Sequence, residues 1–457
     1  MKFKYSGKKI AVVGLGIEGL SSAKYLAEHG AEVSARDQKK EKEFEPRSIK
    51  ELKRLGVELV LGEKYLDGLE KYDFVVRTPF IRPDLPELVK AIESGVELTS
   101  QTKIFFDLCP ANIVGVTGTK GKGTTSTLIK LMLEKAGKRA FLGGNIGRPP
   151  ISFLDETKAG DWVVLELSSF QLIDLSKSPH IAVALMTTSE HLDWHTDTSE
   201  YHQAKYNLVQ HQTEKDFAVI NSDYPISKSF ADQTKAEKVW FSLSEEADPG
   251  VFLKEGKLWR WFHGKYEEII PAKNVRIPGR HNLENAAAAA AAVSILGVSA
   301  TTIRQVLEEF PGLEHRLELV REWKGKAFYN DTFSTTPETA IAAVRAFEKP
   351  MTVILGGSSK KSDFTQLGEE LVKNKHLVNI VLIGQTAGEI EEAIKKAGKP
   401  TAKILRASGT FPEIVKLATQ VTPKGGIVLL SPACASFDMF KNYKQRGLEF
   451  KKIVNNL

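Results

Sequence analysis

The sequence predicts an α/β protein of three domains: a Rossmann-like N-terminal domain, a central P-loop domain with a mainly parallel sheet, and a C-terminal Rossmann-like α/β domain. At 457 residues the chain is too long for one core, and about 150 residues per domain gives three. Short β-branched runs alternate with helical stretches along its length. Two glycine turns follow such runs, Gly14-Leu15-Gly16-Ile17-Glu18-Gly19 and Gly118-Thr119-Lys120-Gly121-Lys122-Gly123. The boundaries read from the pattern are 1–98, 99–311 and 312–457.

The N-terminus is expected to enter a strand almost at once, leaving no room for a signal peptide. Lys9-Ile10-Ala11-Val12-Val13 reads as a buried strand, followed by the first glycine turn, a helix over 20–29 and a strand ending at Arg36-Asp37. This is a βαβ unit with a G-x-G-x-x-G turn and an acid about 20 residues on. It fits NAD with Asp37 on the ribose, another nucleotide phosphate, or a purely structural turn. Further strands near 57–61 and 72–76 follow, the latter ending in Arg77-Thr78-Pro79.

The second turn follows Ile113-Val114-Gly115-Val116 and leads into a helix over 126–135. Glycines let successive backbone N–H groups curl around a polyphosphate, and the helix N-terminus favours anions. The residues expected to cradle phosphate here are Gly118, Thr119, Lys120, Gly121, Lys122, Gly123, Thr124 and Thr125. Gly123 stands where a P-loop has Ser or Thr, so Thr124 is expected to supply the hydroxyl that holds Mg²⁺. A strand over 162–165 ends in Glu166, the natural second anchor for that ion. Gly143-Gly144-Asn145-Ile146-Gly147 precedes it. A strand over 180–185 leads to Glu190-His191-Leu192-Asp193, and a helix over 199–212 carries Lys205. Hairpin strands are expected over 251–270, and the alanines at 286–292 read as a close-packing helix. The third segment has strands over 327–330, 352–355, 379–383, 403–405 and 427–430, with glycines and polar residues at their ends.

Hydrophobic (42%) and charged (26%) fractions are those of an ordinary soluble protein. A net charge of +6 without a Lys/Arg run interleaved with aromatics suits anionic small ligands and gives no nucleic-acid signature. Cys109 and Cys434 form no disulfide framework or metal spacing, which fits a cytoplasmic protein. No apolar run approaches the roughly 18 residues of a membrane span.

These motifs together resemble the Mur ligases, ATP-dependent amide-forming enzymes of peptidoglycan precursor synthesis, over the whole length. The likeness rests on the second glycine turn, Gly143 to Gly147, Glu166 to Gln171, His191-Leu192-Asp193, His281 to Asn285, His315-Arg316, Asn330-Asp331 and Gly356-Gly357. Residues 430–450, LSPACASFDMFKNYKQRGLEF, are similar to the C-terminal motif of the D-glutamate-adding members. The resemblance implies an ATPase-type central domain and small-molecule substrates, UDP-N-acetylmuramoyl-L-alanine and D-glutamate, acted on by a monomer. It implies catalytic roles for Lys122, Glu166, His191 and Lys205, with Lys205 N-carboxylated (carbamylated). Two Mg²⁺ ions would be held by Thr124, Glu166, His191 and that lysine. The phosphate cradled by Gly118 to Thr125 would be part of ATP, which Asn285, Arg316 and Asp331 would also contact. Gly14, Leu15, Gly16, Asp37, Gln38 and Thr78 would hold the uridine diphosphate rather than NAD, with Asn145 and His191 near the muramoyl group. Thr335, Lys360, Ser436 and Tyr443 would receive D-glutamate.

Three positions depart from the family pattern. Gly123 gives a Gly-Lys-Gly-Thr order that resembles the related folylpolyglutamate synthases. Phe333 stands where the family commonly has lysine, and Met186 where it has asparagine. A folate ligase accounts poorly for residues 430–450, and a dehydrogenase leaves the second turn unexplained. A non-catalytic nucleotide-binding protein leaves the Glu, His and Lys set without a use.

Overall fold

A computed structural model describes residues 3–190, 194–359 and 362–457. The chain divides into two compact units, Met1–Pro271 with Glu284–Val306, and Ala272–Leu283 with Leu307–Leu457. No helix among the described residues is long and apolar enough to cross a membrane.

The first unit holds two sheets. The N-terminal one is built from β1 (Lys9–Val13), β2 (Glu32–Asp37), β3 (Glu58–Leu61), β4 (Phe74–Arg77) and β5 (Glu97–Ser100), in the order β3-β2-β1-β4-β5, all parallel. The strand order reverses beside β1, which puts the first glycine turn at the topological switch point where such sheets bind ligands. β5 runs two residues past the boundary read at Leu98, and Ser100 caps the helix Gln101–Leu108 by accepting from Lys103 N. Its sequence, ELTS, has too few apolar residues to announce a strand. The N-terminal segment is not a strand. Gly7 turns the chain at φ +73, and fully buried Tyr5 packs edge-on against Phe74 before β1 begins.

The central sheet comprises β6 (Asn112–Thr117), β7 (Ala140–Gly144), β8 (Trp162–Glu166), β9 (Ile181–Ala184), β10 (Phe217–Asn221), β11 (Glu237–Ser242), β12 (Gly250–Lys254), β13 (Lys257–Phe262) and β14 (Lys265–Pro271). Its order is β14-β13-β12-β11-β10-β9-β6-β8-β7. It is parallel from β7 to β12, and the expected hairpins appear as β12 to β14. β6, the strand before the phosphate loop, lies inside this sheet and is buried from Ile113 to Thr117. Parallel strands covered on both faces read as continuous apolar runs, which is why they were legible. The helix after the loop begins at Lys122, four residues earlier than expected, because Gly121 at φ +89 serves as its N-cap. The Lys205 helix spans Thr198–Tyr206 and ends short of Gln212 where Asn207 turns its amide onto Leu172 O and Ile173 O. The seven alanines of the helix Arg280–Ser294 are buried, as close packing demands.

The second unit's sheet joins β15 (Glu318–Trp323), β16 (Lys326–Asn330), β17 (Met351–Gly356), β18 (Leu377–Ile383), β19 (Lys403–Arg406) and β20 (Ile427–Leu430) in the order β15-β16-β20-β17-β18-β19. β15, missing from the sequence reading, is an antiparallel edge strand turned by Lys324-Gly325, both at positive φ. With β20 inserted between β16 and β17, the ends bearing Asp331, Gly356-Gly357 and Ser431 become neighbours.

Candidate active site

The phosphate loop runs from the end of β6 to the helix Lys122–Lys135. Two of its glycines are obligatory. A Cβ on Gly118 (φ +151) would meet Leu185 Cβ at 2.7 Å, and one on Gly121 would meet Asn285 Oδ1 at 2.1 Å. The loop therefore lies flat against the β9 end and against Asn285, whose amide oxygen also accepts from Thr125 Oγ1 at 3.3 Å. Lys122 Nζ donates to Gly118 O and Thr119 O, both at 3.0 Å, so its charge sits over the concave side of the loop. Lys120 forms an ion pair with Glu190. Thr119 Oγ1 accepts from Thr188 N and lies 3.0 Å from the buried Tyr201 hydroxyl.

Glu166 closes β8 beside the loop. It is 6% exposed, and its Oε1 accepts from Asn145 Nδ2 at 2.9 Å, while Asn145 N donates to Glu166 O. The glycine stretch before Asn145 has to arch over the strand end. A Cβ on Gly144 would come within 2.1 Å of Glu166 O. Asn145, expected near the muramoyl group, is thus placed with its amide on the carboxylate.

Lys205 is fully buried, with Nζ donating to Gly118 O at 2.9 Å and Thr117 Oγ1 at 3.3 Å. Burial, reinforced by the charge of Lys122, pushes this amine well below the ordinary lysine range. The hydroxyls along the following helix divide by partner. Thr125 bonds Asn285 and Thr127 bonds Gly123 O, whereas Thr124, 3% exposed, makes no side-chain hydrogen bond among the described residues.

Glu166 and the Thr124 hydroxyl offer oxygen donors of the kind magnesium takes, and burial shifts the Lys205 amine toward its neutral form. His191, the remaining expected ligand, lies outside the described residues. Without it, no group of three or more acidic, histidine or cysteine side chains that could hold a metal occurs among the described residues.

The first glycine turn is built differently. Gly14 (φ +89) has no space for a Cβ beside Thr78 Oγ1, 2.2 Å away, and Gly19 packs against Gly14 O. A Cβ on Gly16 would meet nothing within 4 Å, leaving an open approach to the backbone there. Asp37 fastens the turn by accepting from Leu15 N at 2.6 Å. Thr78 Oγ1 donates to Val13 O, and Gln38 is exposed beside Asp37.

In the second unit, Asp331 is 3% exposed and accepts from Leu317 N, Ser334 Oγ and Ser431 Oγ. Burial raises its pKa to about 6 against the pull of those donors. Arg316 lies 4.4 Å over the Phe333 ring, and Phe333 meets Tyr443 edge-on at 5.4 Å. The aromatic that replaces the family's lysine is therefore a platform for the arginine. Ser436 Oγ is buried without a hydrogen-bond partner among the described residues, an opening for a ligand oxygen. Thr335 is half-buried, and Lys360 lies outside the described residues.

Three family models match the chain in sequence order. The Mur ligase MurD-like N-terminal domain covers residues 8–100, the Mur ligase middle domain 116–293, and the Mur ligase glutamate ligase domain 315–434. The chain belongs to the Mur ligase family. Curated relatives include the UDP-N-acetylmuramoylalanine–D-glutamate ligase of Acetivibrio thermocellus, 42% identical over 100% of this chain and 98% of that one. The enzymes of the same name from Ruminiclostridium cellulolyticum (41%; 98% and 97%) and Clostridium tetani (39%; 100% and 98%) match similarly. Among solved structures, the Mur ligase fold recurs in UDP-N-acetylmuramate-alanine ligase MurC from Thermotoga maritima, with TM-score 0.58 and 19% identity over 98% and 99% of the two chains. It recurs in MurF from Acinetobacter baumannii, with TM-score 0.58 and 16% identity over 96% and 93%.

Within each unit of this Mur ligase the structure also sets beside the expected residues side chains to which the sequence reading gave no role. Arg446 is 1% exposed and donates to Thr332 Oγ1 and to the carbonyls of Thr332, Cys434 and Ala435, next to Ser436. Burial lowers its pKa to about 10. It lies inside the 430–450 stretch, whose likeness singled out Ser436 and Tyr443 instead. Glu190 and Tyr201 were likewise hidden, since each acts on the loop through the fold rather than through spacing.

Proposed function

We propose that this Mur ligase adds D-glutamate to UDP-N-acetylmuramoyl-L-alanine, converting ATP to ADP and phosphate by way of an acyl phosphate, in peptidoglycan precursor synthesis. The observation that carries this reading is the full-length match, at 39–42% identity, to ligases of that name. Residues 1–98 would hold the uridine diphosphate, 99–311 ATP, and 312–457 the amino acid. The reading places a monomeric enzyme in the cytoplasm, acting on small molecules without nucleic acid or membrane.

A carboxylate is a poor electrophile, so the alanyl carboxylate first attacks the γ-phosphorus of ATP and ADP leaves. Lys122 and the amides of Gly118 to Thr125 neutralise and orient the phosphates during that transfer. Thr124, Glu166, His191 and N-carboxylated Lys205 would hold magnesium, which would supply screening between the anionic reactants. Asn145 keeps the Glu166 carboxylate aimed. Asn285, Arg316 on its Phe333 platform, and Asp331 contact the nucleotide. The amine of D-glutamate then attacks the acyl carbon, and the tetrahedral intermediate expels phosphate. Lys360 would pair with a glutamate carboxylate as a point charge, while Ser436, Thr335 and Tyr443 would fix the amino acid's orientation. At the other end Gly14, Leu15, Gly16, Asp37, Gln38 and Thr78 hold the uridine diphosphate, with Asn145 and His191 close to the muramoyl group.

The test is phosphate release with UDP-N-acetylmuramoyl-L-alanine fixed and the acceptor varied. Release is expected with D-glutamate and to require the nucleotide sugar. Equal release with L-glutamate, or with a folate in place of the nucleotide sugar, would overturn the assignment.

A further inference from the structure

We propose that Arg82 and Glu200 form a strut that fixes the span between the first glycine turn and the phosphate loop, and so act as positioning residues for the nucleotide-sugar substrate. The inference rests on the reading that this turn takes the uridine diphosphate end of the substrate. Its own basis is a continuous chain of contacts inside the first unit.

The chain starts at Thr78, which lies against Gly14 in the turn. The loop beyond it is held at both ends. Arg77 is buried on Asp174 and Phe170 O, and Ile81 N donates to Thr78 O. Arg82 then leaves the N-terminal sheet altogether. Its guanidinium donates to both oxygens of Glu200, at 2.8 and 3.1 Å, to Trp194 O at 2.6 Å and to Asp84. It also lies 5.0 Å over the Trp194 ring, whose Nε1 donates back to Phe80 O. A two-pronged guanidinium–carboxylate pair fixes orientation as well as distance.

Glu200 sits in the first turn of the Thr198–Tyr206 helix, and the same helix delivers Tyr201 to Thr119 Oγ1 and Lys205 to Gly118 O. Its carboxylate further accepts from Thr196 N at 2.9 Å and lies 3.0 Å from Nδ1 of His195. His195 is 2% exposed, and its Nε2 is 2.9 Å from Ser169 Oγ, three residues beyond Glu166. One carboxylate thus ties the turn's loop to the helix that touches the phosphate loop and to the segment following Glu166. The substrate reaches from uridine to reacting carboxylate, so the separation of its two sites has to match its length. A misplacement of about 1 Å is enough to cost on the order of a hundredfold in rate.

The experiment measures kcat and the KM of each substrate for Arg82→Ala, Glu200→Gln, Glu200→Ala and the double alanine variant, with thermal midpoints alongside. The strut predicts that KM for UDP-N-acetylmuramoyl-L-alanine rises about tenfold or more while KM for ATP stays within about twofold. The double variant should be no worse than the weaker single one, since removing either end breaks the same pair. Arg82→Lys should restore part of the loss, because lysine keeps the charge but not the fork. The proposal falls if the nucleotide-sugar KM is unchanged. It also falls if both KM values and the thermal midpoint move together, or if the two alanine effects add. Should Glu200→Ala fail to fold, the isosteric Glu200→Gln decides on the same criteria. A wild-type enzyme unable to use D-glutamate would instead sink the parent reading, so the two failures are distinguishable.

Discussion

The two glycine turns of the first unit occupy equivalent places, each between a parallel strand and a helix, and are furnished with opposite charge. The turn after β6 carries Lys120 and Lys122. The turn after β1 carries Glu18 and is fastened by Asp37. Backbone amides at a helix N-terminus are sufficient to bind a diphosphate that stays intact. A phosphoryl group in transfer gathers charge on its oxygens and needs a cation beside it. The glycines divide in the same way. Gly16 leaves open backbone for a ligand, whereas Gly121 is closed off by Asn285.

Lys122→Ala breaks that comparison most severely. Phosphate release should fall on the order of a thousandfold or more, because the transferring charge loses its lysine, with the fold retained. A variant within about tenfold of wild type in a steady-state assay would remove Lys122 from the chemistry. Lys205→Ala should come next, cutting turnover on the order of a hundredfold. Enzyme equilibrated with ¹³C-bicarbonate should show a carbamate resonance that Lys205→Ala and Lys205→Arg both lack. A spectrum unchanged between wild type and these variants would deny the carbamate.

Substituting glycine by alanine in both turns sharpens the contrast. Gly121→Ala should lower the thermal midpoint by several degrees and weaken ATP binding, given its φ of +89 and the clash with Asn285. Gly16→Ala should leave the midpoint nearly unmoved and raise the nucleotide-sugar KM alone. Equal midpoints for the two variants would show that the turns do not differ in the way their geometry implies.

The fold was legible where burial is two-sided. β1, β6, β8 and β17 announce themselves because their interiors are nearly continuous apolar runs that end at candidate functional turns. β5 and β15 stayed hidden because edge strands need little apolar surface. Lys122 and Glu166 could be named because phosphate and metal chemistry restricts residue type and spacing, whereas Lys205 was named only through the family resemblance. Arg446 and the Arg82–Glu200 pair could not, since their partners are carbonyls or lie 118 positions away in sequence. Asn145 was marked by its motif, and the fold adds a hydrogen bond from its amide to Glu166 that the sequence did not announce.

The smallest predicted effect concerns the acid in the first turn. Burial raises the Glu18 pKa to about 7, opposed by a hydrogen bond from Gln171 and by the charge of Arg77. A carboxyl whose folded pKa lies above its unfolded value contributes stability fully at pH below the unfolded value, about 4.5, and loses it as pH rises through about 7. Glu18→Gln keeps an acceptor for Gln171 Nε2, which donates to Glu18 Oε1 at 2.7 Å, and cannot ionise. Thermal midpoints of the variant and wild type should therefore be close at about pH 5, with the variant ahead by a few degrees at about pH 8. The same ionisation sets a negative charge beside the site proposed for the diphosphate. The wild-type KM for the nucleotide sugar should consequently climb from about pH 6 to about pH 8 while that of Glu18→Gln stays flatter. A midpoint difference that is constant across this range would mean that Glu18 is already ionised at low pH, and the first turn would then bind its ligand against a fixed negative charge.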